Sequence, residues 1–218
     1  IVEQSFEGML LRIDGRESWS CLIGQHNAYN LLALYTTAVS LGADPEEVLV
    51  AMSTLRPAPG RLENMKGPKD ISVIIDYAHT PDALENVLKT LREIAPDREL
   101  ICLFGCGGDR DRTKRPEMGQ IAQKLADRII VTADNSRTEK TADIMAEIKA
   151  GMDLGGRARS LFIEDREQAI RTAVMIAGQG ATILLAGKGH ETYQITGTEK
   201  RHFDEKEIVA DIFKNMTL

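Results

Sequence analysis

The chain has 218 residues, 43% hydrophobic and 28% charged, a balance that supports a packed core and excludes a disordered chain. Its 33 acidic residues exceed its 27 Lys and Arg, for a formal net charge of −6, which argues against nucleic acid as the main partner. No apolar run approaches the roughly 20 residues of a membrane helix and no signal-like segment opens the chain, so no membrane partner and a cytoplasmic location are expected.

Residues 1–67 read as two antiparallel strands, "GMLLRI" and "WSCLIG", then a helix over "HNAYNLLALYTTAVSLG" closed by Gly42. Asp44 and Pro45 start a shorter helix that carries Val48, Leu49 and Met52. Two strands and two helices enclose little core, so this segment is expected to be the tail of a larger domain, with "RPAPGRLENMKGPKD" as the link to a second domain.

From residue 68 to 218 apolar β-branched runs alternate with helical periods. Strands are expected at 71–77, 99–105, 128–134, 160–165 and 181–187, each apolar on both faces as in a covered parallel sheet. Thr80 and Pro81 open a helix whose Leu84, Val87, Leu88 and Leu91 share one face. Met118, Ile121, Ala122 and Leu125 repeat the pattern, as do Ile144, Met145 and Ile148. Asp165 with Gln168, and Asp204 with Glu207, mark two more helix starts, and "TYQIT" with "RHF" suggests a hairpin. The expected class is α/β, a mostly parallel sheet flanked by helices. Cys21, Cys102 and Cys106 offer neither a disulfide framework nor a zinc motif and read as small core residues.

Ligands of an open parallel sheet bind outside the carboxyl ends of its strands. Four strand ends here carry polar clusters: "DYAHTPD", "GCGGDRDRTKRP", "DNSRTE" and "GKGHETYQ". Turns need Gly, Asn or Asp but have no use for Arg, Lys and His, so turn chemistry alone does not explain them. In the second cluster the dinucleotide fingerprint fails, because Arg110 stands where the third glycine belongs; hydride transfer is therefore a weak reading. Arg137 suits a carboxylate held by two parallel hydrogen bonds, while Asp134 or Asn135 suits an ammonium; the competing reading is a simple capped helix start. In "GKGHE", Gly187 and Gly189 free backbone donors beside Lys188, and Glu191 offers a carboxylate to an ammonium; His190 is equally a plain loop histidine. Asp76 can accept from ribose hydroxyls, with His79 in the same turn; Asn27 and Asn30 can meet a purine edge, and Arg61 a phosphate.

Together "GQHNAYN", "PGRLE", "DYAHTPD", "GCGGDRDRTKRP", "DNSR" and "GKGHETYQ" resemble the successive motifs of the Mur ligase family, closest to its diaminopimelate-adding members, in order and across nearly the whole chain. The resemblance implies that residues 68–218 form the Rossmann-like C-terminal domain that delivers the amino acid, and that residues 1–67 end the central ATPase domain. It implies an ATP- and Mg2+-dependent amide ligase that adds meso-diaminopimelate to UDP-MurNAc-L-Ala-D-Glu through an acyl-phosphate, in peptidoglycan precursor synthesis, as a monomer. Arg110, Asp134, Asn135, Ser136, Arg137, Gly187 and Glu191 match positions that grip diaminopimelate; Asn27, Asn30, Arg61, Asp76 and His79 match nucleotide positions. The phosphate loop, magnesium ligands and main catalytic groups of the family are not among these residues, so the chain alone is expected to be inactive. Ser136 replaces the family's proline and His26 its phenylalanine. Alternatives are a lysine-adding ligase, a folylpolyglutamate or cyanophycin synthetase, and a non-catalytic amino-acid binding module.

Overall fold

A computed structural model describes residues 1–216 and divides the chain into two compact units, Ile1–Ala58 with Glu93–Ala95, and Pro59–Arg92 with the chain from Pro96 onward. The first unit holds an antiparallel meander of β1 (Glu3–Ser5), β2 (Gly8–Ile13) and β3 (Arg16–Ser20), followed by α1 (Gln25–Ser40) and α2 (Pro45–Ser53). Asp14 and Gly15 both take positive φ, 49° and 78°, the primed geometry that matches the twist of a two-residue hairpin. Strand alternation buries Met9, Leu11 and Ile13, which pack with Leu31 and Tyr35 of α1 and with Val48, Leu49 and Met52 of α2.

The sheet of this unit has three strands where the sequence pattern predicts two, because "EQS" is too short and polar to show alternation. The expected strand over "WSCLIG" is displaced toward its N-terminus: pairing ends at Met9–Ser20, and the Ser20 hydroxyl accepts from Leu22 N at 3.2 Å as the chain turns out of the sheet.

The second unit is a six-stranded sheet of β4 (Glu63–Lys66), β5 (Ser72–Asp76), β6 (Leu100–Phe104), β7 (Arg128–Val131), β8 (Ser160–Phe162) and β9 (Thr182–Ala186), in the order β4-β5-β9-β6-β7-β8. All pairs are parallel except β4–β5. The chain steps outward through α3 (Pro81–Ile94), α4 (Lys114–Leu125), α5 (Thr141–Ala150) and the short α6 (Leu154–Ala158). It then returns through α7 (Arg166–Ile176) to insert β9 between β5 and β6. Alternate residues Val73, Ile75, Ile101, Leu103, Ile183 and Leu185 pack against Ala169, Ile170, Ala173 and Val174 of α7 and Val209 and Ile212 of α8 (Glu205–Met216). A hairpin of β10 (Tyr193–Thr196) and β11 (Glu199–His202) precedes α8.

All five predicted parallel strands are present, with shorter ends. The expected strand 160–165 stops at Phe162 because Asp165 caps α7, its carboxylate accepting from Gln168 N at 2.9 Å. The edge strand β4 lies inside the segment read as a link; "ENMK" is half-exposed and has a single apolar residue, Met65, which packs against the core, too little to show a strand paired on one side only. The insertion of β9 lines up the loops after β5, β9, β6 and β7 along one rim. No described helix is long and apolar enough to cross a membrane.

Candidate functional site

Asn135, buried after β7, is the pivot of the rim. Its side-chain Nδ2 donates to Glu191 Oε2 at 2.9 Å, and its Oδ1 accepts from Ile195 N at 2.9 Å and from Lys188 Nζ at 3.3 Å. Lys188 has no exposed surface; its ammonium also donates to Tyr193 O at 2.7 Å and lies 3.3 Å from Glu191 Oε2 and 3.5 Å from Asp134 Oδ1. One ammonium thus sits between two carboxylates, and the group keeps a net negative charge. A cation entering beside Glu191 meets that charge in a partly desolvated place, where attraction is stronger than in water. The Glu191 carboxylate is also the main reason the Tyr193 phenol is held above its ordinary range.

On the other side of Asn135 lies positive charge. The half-buried Arg137 donates through Nη1 to Gly108 O at 2.8 Å and to Asn135 O at 3.3 Å. Its backbone, at φ 51°, bridges to the β10 end, with Gly197 N donating to Arg137 O at 2.6 Å. Arg110 is exposed, and its Nη1 donates to Asp109 O at 3.3 Å. Gly107 is flanked by both arginines: a Cβ there would lie 3.0 Å from Arg137 Nη1 and 3.7 Å from Arg110 Cγ. The loops after β6 and β7 come this close because they are glycine-lined. A Cβ on Gly108 would collide with the Ser136 carbonyl, and one on Gly187 would sit 3.2 Å from Asp134 Oδ2.

Side chains missed from the sequence hold these loops. Arg115, wholly buried on α4, donates to Glu139 at 2.8 and 2.9 Å, to Glu147 at 2.8 Å and to Gly107 O at 3.3 Å. Glu139 in turn accepts from Asp109 N at 2.7 Å, and Arg115 is the main cause that holds its carboxyl down to about 2. Arg112 also pairs with Glu147. Burial pushes the Cys106 thiol beneath this turn up to about 12, which removes it as a nucleophile at neutral pH. Arg115 follows the glycine turn in sequence, but nothing in the pattern separates it from the exposed Arg110 and Arg112.

A second cluster gathers after β5. Gly60 and Gly189 let three loops touch: a Cβ on Gly189 would lie 2.7 Å from Tyr77 Cβ and 2.8 Å from Gly60 O. Around the Tyr77 ring stand the Arg61 guanidinium at 5.1 Å, the His79 ring at 4.7 Å and the His190 ring at 5.1 Å. Lys114 Nζ reaches His79 O at 2.8 Å, joining this cluster to α4. Asp76 is buried, its two oxygens accepting from Leu62 N and Ala78 N, both at 2.8 Å, so it fixes the Arg61 loop to the His79 turn. Asn27 and Asn30 lie in the first unit, one turn apart on α1, with Asn30 Nδ2 3.4 Å from Asn27 Oδ1.

Residues 60–189 match the family described as "Mur ligase, glutamate ligase domain". The chain belongs to the Mur ligase family. Among curated relatives, UDP-N-acetylmuramoyl-L-alanyl-D-glutamate–2,6-diaminopimelate ligase of Parabacteroides distasonis is 50% identical over 214 residues, 98% of this chain and 44% of that protein. The ligase of the same name from Trichormus variabilis is 52% identical over 190 residues, 86% of this chain and 38% of its own length. A solved structure carrying that ligase name superposes with a TM-score of 0.73 at 37% identity, covering 98% of this chain and 44% of that one. This Mur ligase chain therefore spans less than half the length of these relatives. The UDP-N-acetylmuramate–alanine ligase structure from Thermotoga maritima, at 23% identity and a TM-score of 0.66, shares the fold.

Proposed function

We propose that this chain is the C-terminal part of a cytoplasmic, ATP-dependent ligase that joins meso-diaminopimelate to UDP-MurNAc-L-Ala-D-Glu in peptidoglycan precursor synthesis. The central observation in support is charge order across two adjoining loops, those after β7 and β9: through Asn135, the anionic group of Asp134, Glu191 and Lys188 adjoins the guanidinium of Arg137. A diamino dicarboxylic acid carries the complementary order of ammonium and carboxylate. Arg137 has Nη2 and Nε to offer a carboxylate as a fork, with the exposed Arg110 as a second cation; Glu191 and Gly187 receive the distal ammonium. Ser136, 2% exposed, lies in the same loop as Arg137, its carbonyl accepting from Glu139 N at 3.1 Å. The relatives' names support the same substrate.

The Tyr77 cluster is assigned to the nucleotide, with Arg61 toward phosphate and Asp76 and His79 beside ribose; Asn27 and Asn30 are assigned separately, within the first unit, as residues suited to a purine edge. Among the described residues no group of three or more His, Cys, Asp or Glu side chains is disposed to hold a metal ion. The work of these residues is positioning: holding an amine at a fixed place and orientation lets a bimolecular attack proceed as if unimolecular.

Arg137→Ala in the full-length enzyme is expected to raise the KM for diaminopimelate about tenfold or more while leaving that for ATP unchanged. An unchanged KM for diaminopimelate removes the assignment, and wild-type enzyme that prefers lysine replaces it with the lysine-adding reading.

A further inference from the structure

Behind the ligand loops, Arg166 and Glu205 form an ion pair 2.8 Å apart with side chains only 0 and 1% exposed. They are the first residues of α7 and α8. The guanidinium is fully distributed: Nε to Glu205 Oε1, Nη1 to Ala133 O at 3.0 Å and Nη2 to Ala186 O at 2.9 Å. Those two carbonyls immediately precede Asp134 and Gly187. They belong to the ends of β7 and β9, which are not neighbours, since β6 runs between them. Above β6 the gap is closed by Gly105, where a Cβ would lie 2.9 Å from the Ala133 carbonyl carbon and 3.0 Å from Asp134 N.

Stability does not account for this pair. Two ions withdrawn from water gain little over a well-packed apolar pair of equal volume. Glu205 Oε2 has no hydrogen-bond partner among the described residues, and burial raises its carboxyl above the usual range. Arg166 also stands at a helix N-terminus, where the backbone dipole disfavours a cation. What the pair supplies is geometry, because a planar fork fixed by one carboxylate sets the spacing of two backbone carbonyls.

We infer that Arg166, held by Glu205, is a positioning residue for amino-acid recognition: it sets the distance between the β7 loop, which carries Asp134, Asn135 and Arg137, and the β9 loop, which carries Gly187 and Glu191. The substrate named for that site rests on the function proposed above; the clamp itself rests on the contacts. Because α8 follows directly on the β10–β11 hairpin, Glu205 also ties the hairpin to the same spacing; there Ile195 N and Gln194 Nε2 hold Asn135 and Asp134.

The test uses the full-length ligase with two variants. Arg166→Met with Glu205→Leu keeps volume and leaves no unpaired charge; Arg166→Lys keeps the ion pair but cannot reach both carbonyls. Both are expected to melt close to wild type and to raise the KM for diaminopimelate about tenfold, with kcat and the KM for ATP changed less than about threefold. Hydrogen exchange is expected to quicken in peptides covering 133–137 and 186–191, and not in β5 or β6. A folded Arg166→Lys enzyme with wild-type KM and exchange overturns the inference even if the double variant fails to fold. Should the wild-type enzyme not use diaminopimelate, the substrate reading falls, and the exchange pattern alone decides the clamp: local loosening upholds it and unchanged protection refutes it.

Discussion

Arg115 and Glu139 show how a single buried guanidinium organises an exposed loop. Arg115 has no exposed surface, and Glu139 passes its grip on to Asp109 N, so the turn that presents Arg110 is anchored from below. Because the folded-state carboxyl of Glu139 is depressed from 4.5 to about 2, its contribution to stability is complete above pH 4.5 and is lost as pH falls toward 2. The melting temperature should therefore drop over that interval, and Glu139→Gln should give a shallower acid slope with a lower plateau at neutral pH. An identical slope in the variant would dismiss the pair as an acid-sensitive element. Arg137 stood out as a candidate in the sequence because turns have no use for Arg, and Asp134 and Glu191 because they lie in strand-end clusters that also carry Arg, Lys or His. Arg115, Arg166 and Glu205 were not, because a buried charge differs from a solvated one only through partners distant in sequence; Arg166 meets Glu205 across 39 positions.

At the scale of elements, the rim depends on loops packed to backbone contact. Gly108 donates its N–H to Asn135 O at 2.9 Å, and a methyl group there would enter the Ser136 carbonyl. Gly108→Ala should destabilise the second unit by about 1–3 kcal/mol, as overpacking does, and should also weaken amino-acid binding by pushing the β7 loop away. Denaturant midpoints for the variant and wild type test the first effect. A change below about 0.5 kcal/mol would mean that the loops give way without strain. The parallel strands were legible because both of their faces are apolar, and α3 and α7 because Thr80 and Asp165 do cap them, accepting from Ala83 N at 3.3 Å and Gln168 N at 2.9 Å. The strands β1 and β4 escaped because three or four residues at a sheet edge, with Met65 the single apolar one among them, carry no usable period. The order of strands was also illegible, since pairing β9 between β5 and β6 leaves no local mark.

At the scale of the molecule, the second unit carries both a complete sheet and its own core of α7 and α8 packed on Val73, Ile101, Leu103 and Ile183. A polypeptide beginning at Pro59 should therefore fold without the first unit, in one cooperative transition by circular dichroism. A broad or absent transition would show that it does not. The large sheet ends in β4, four residues that run antiparallel, and in β8, three residues. An edge of that length exposes too few free N–H and C=O groups to template the strand of another copy, whereas a long flat edge invites fibre-like assembly. The abbreviated margins therefore work as a built-in guard against aggregation, and extending β8 with a β-branched run would be the most direct way to lose it.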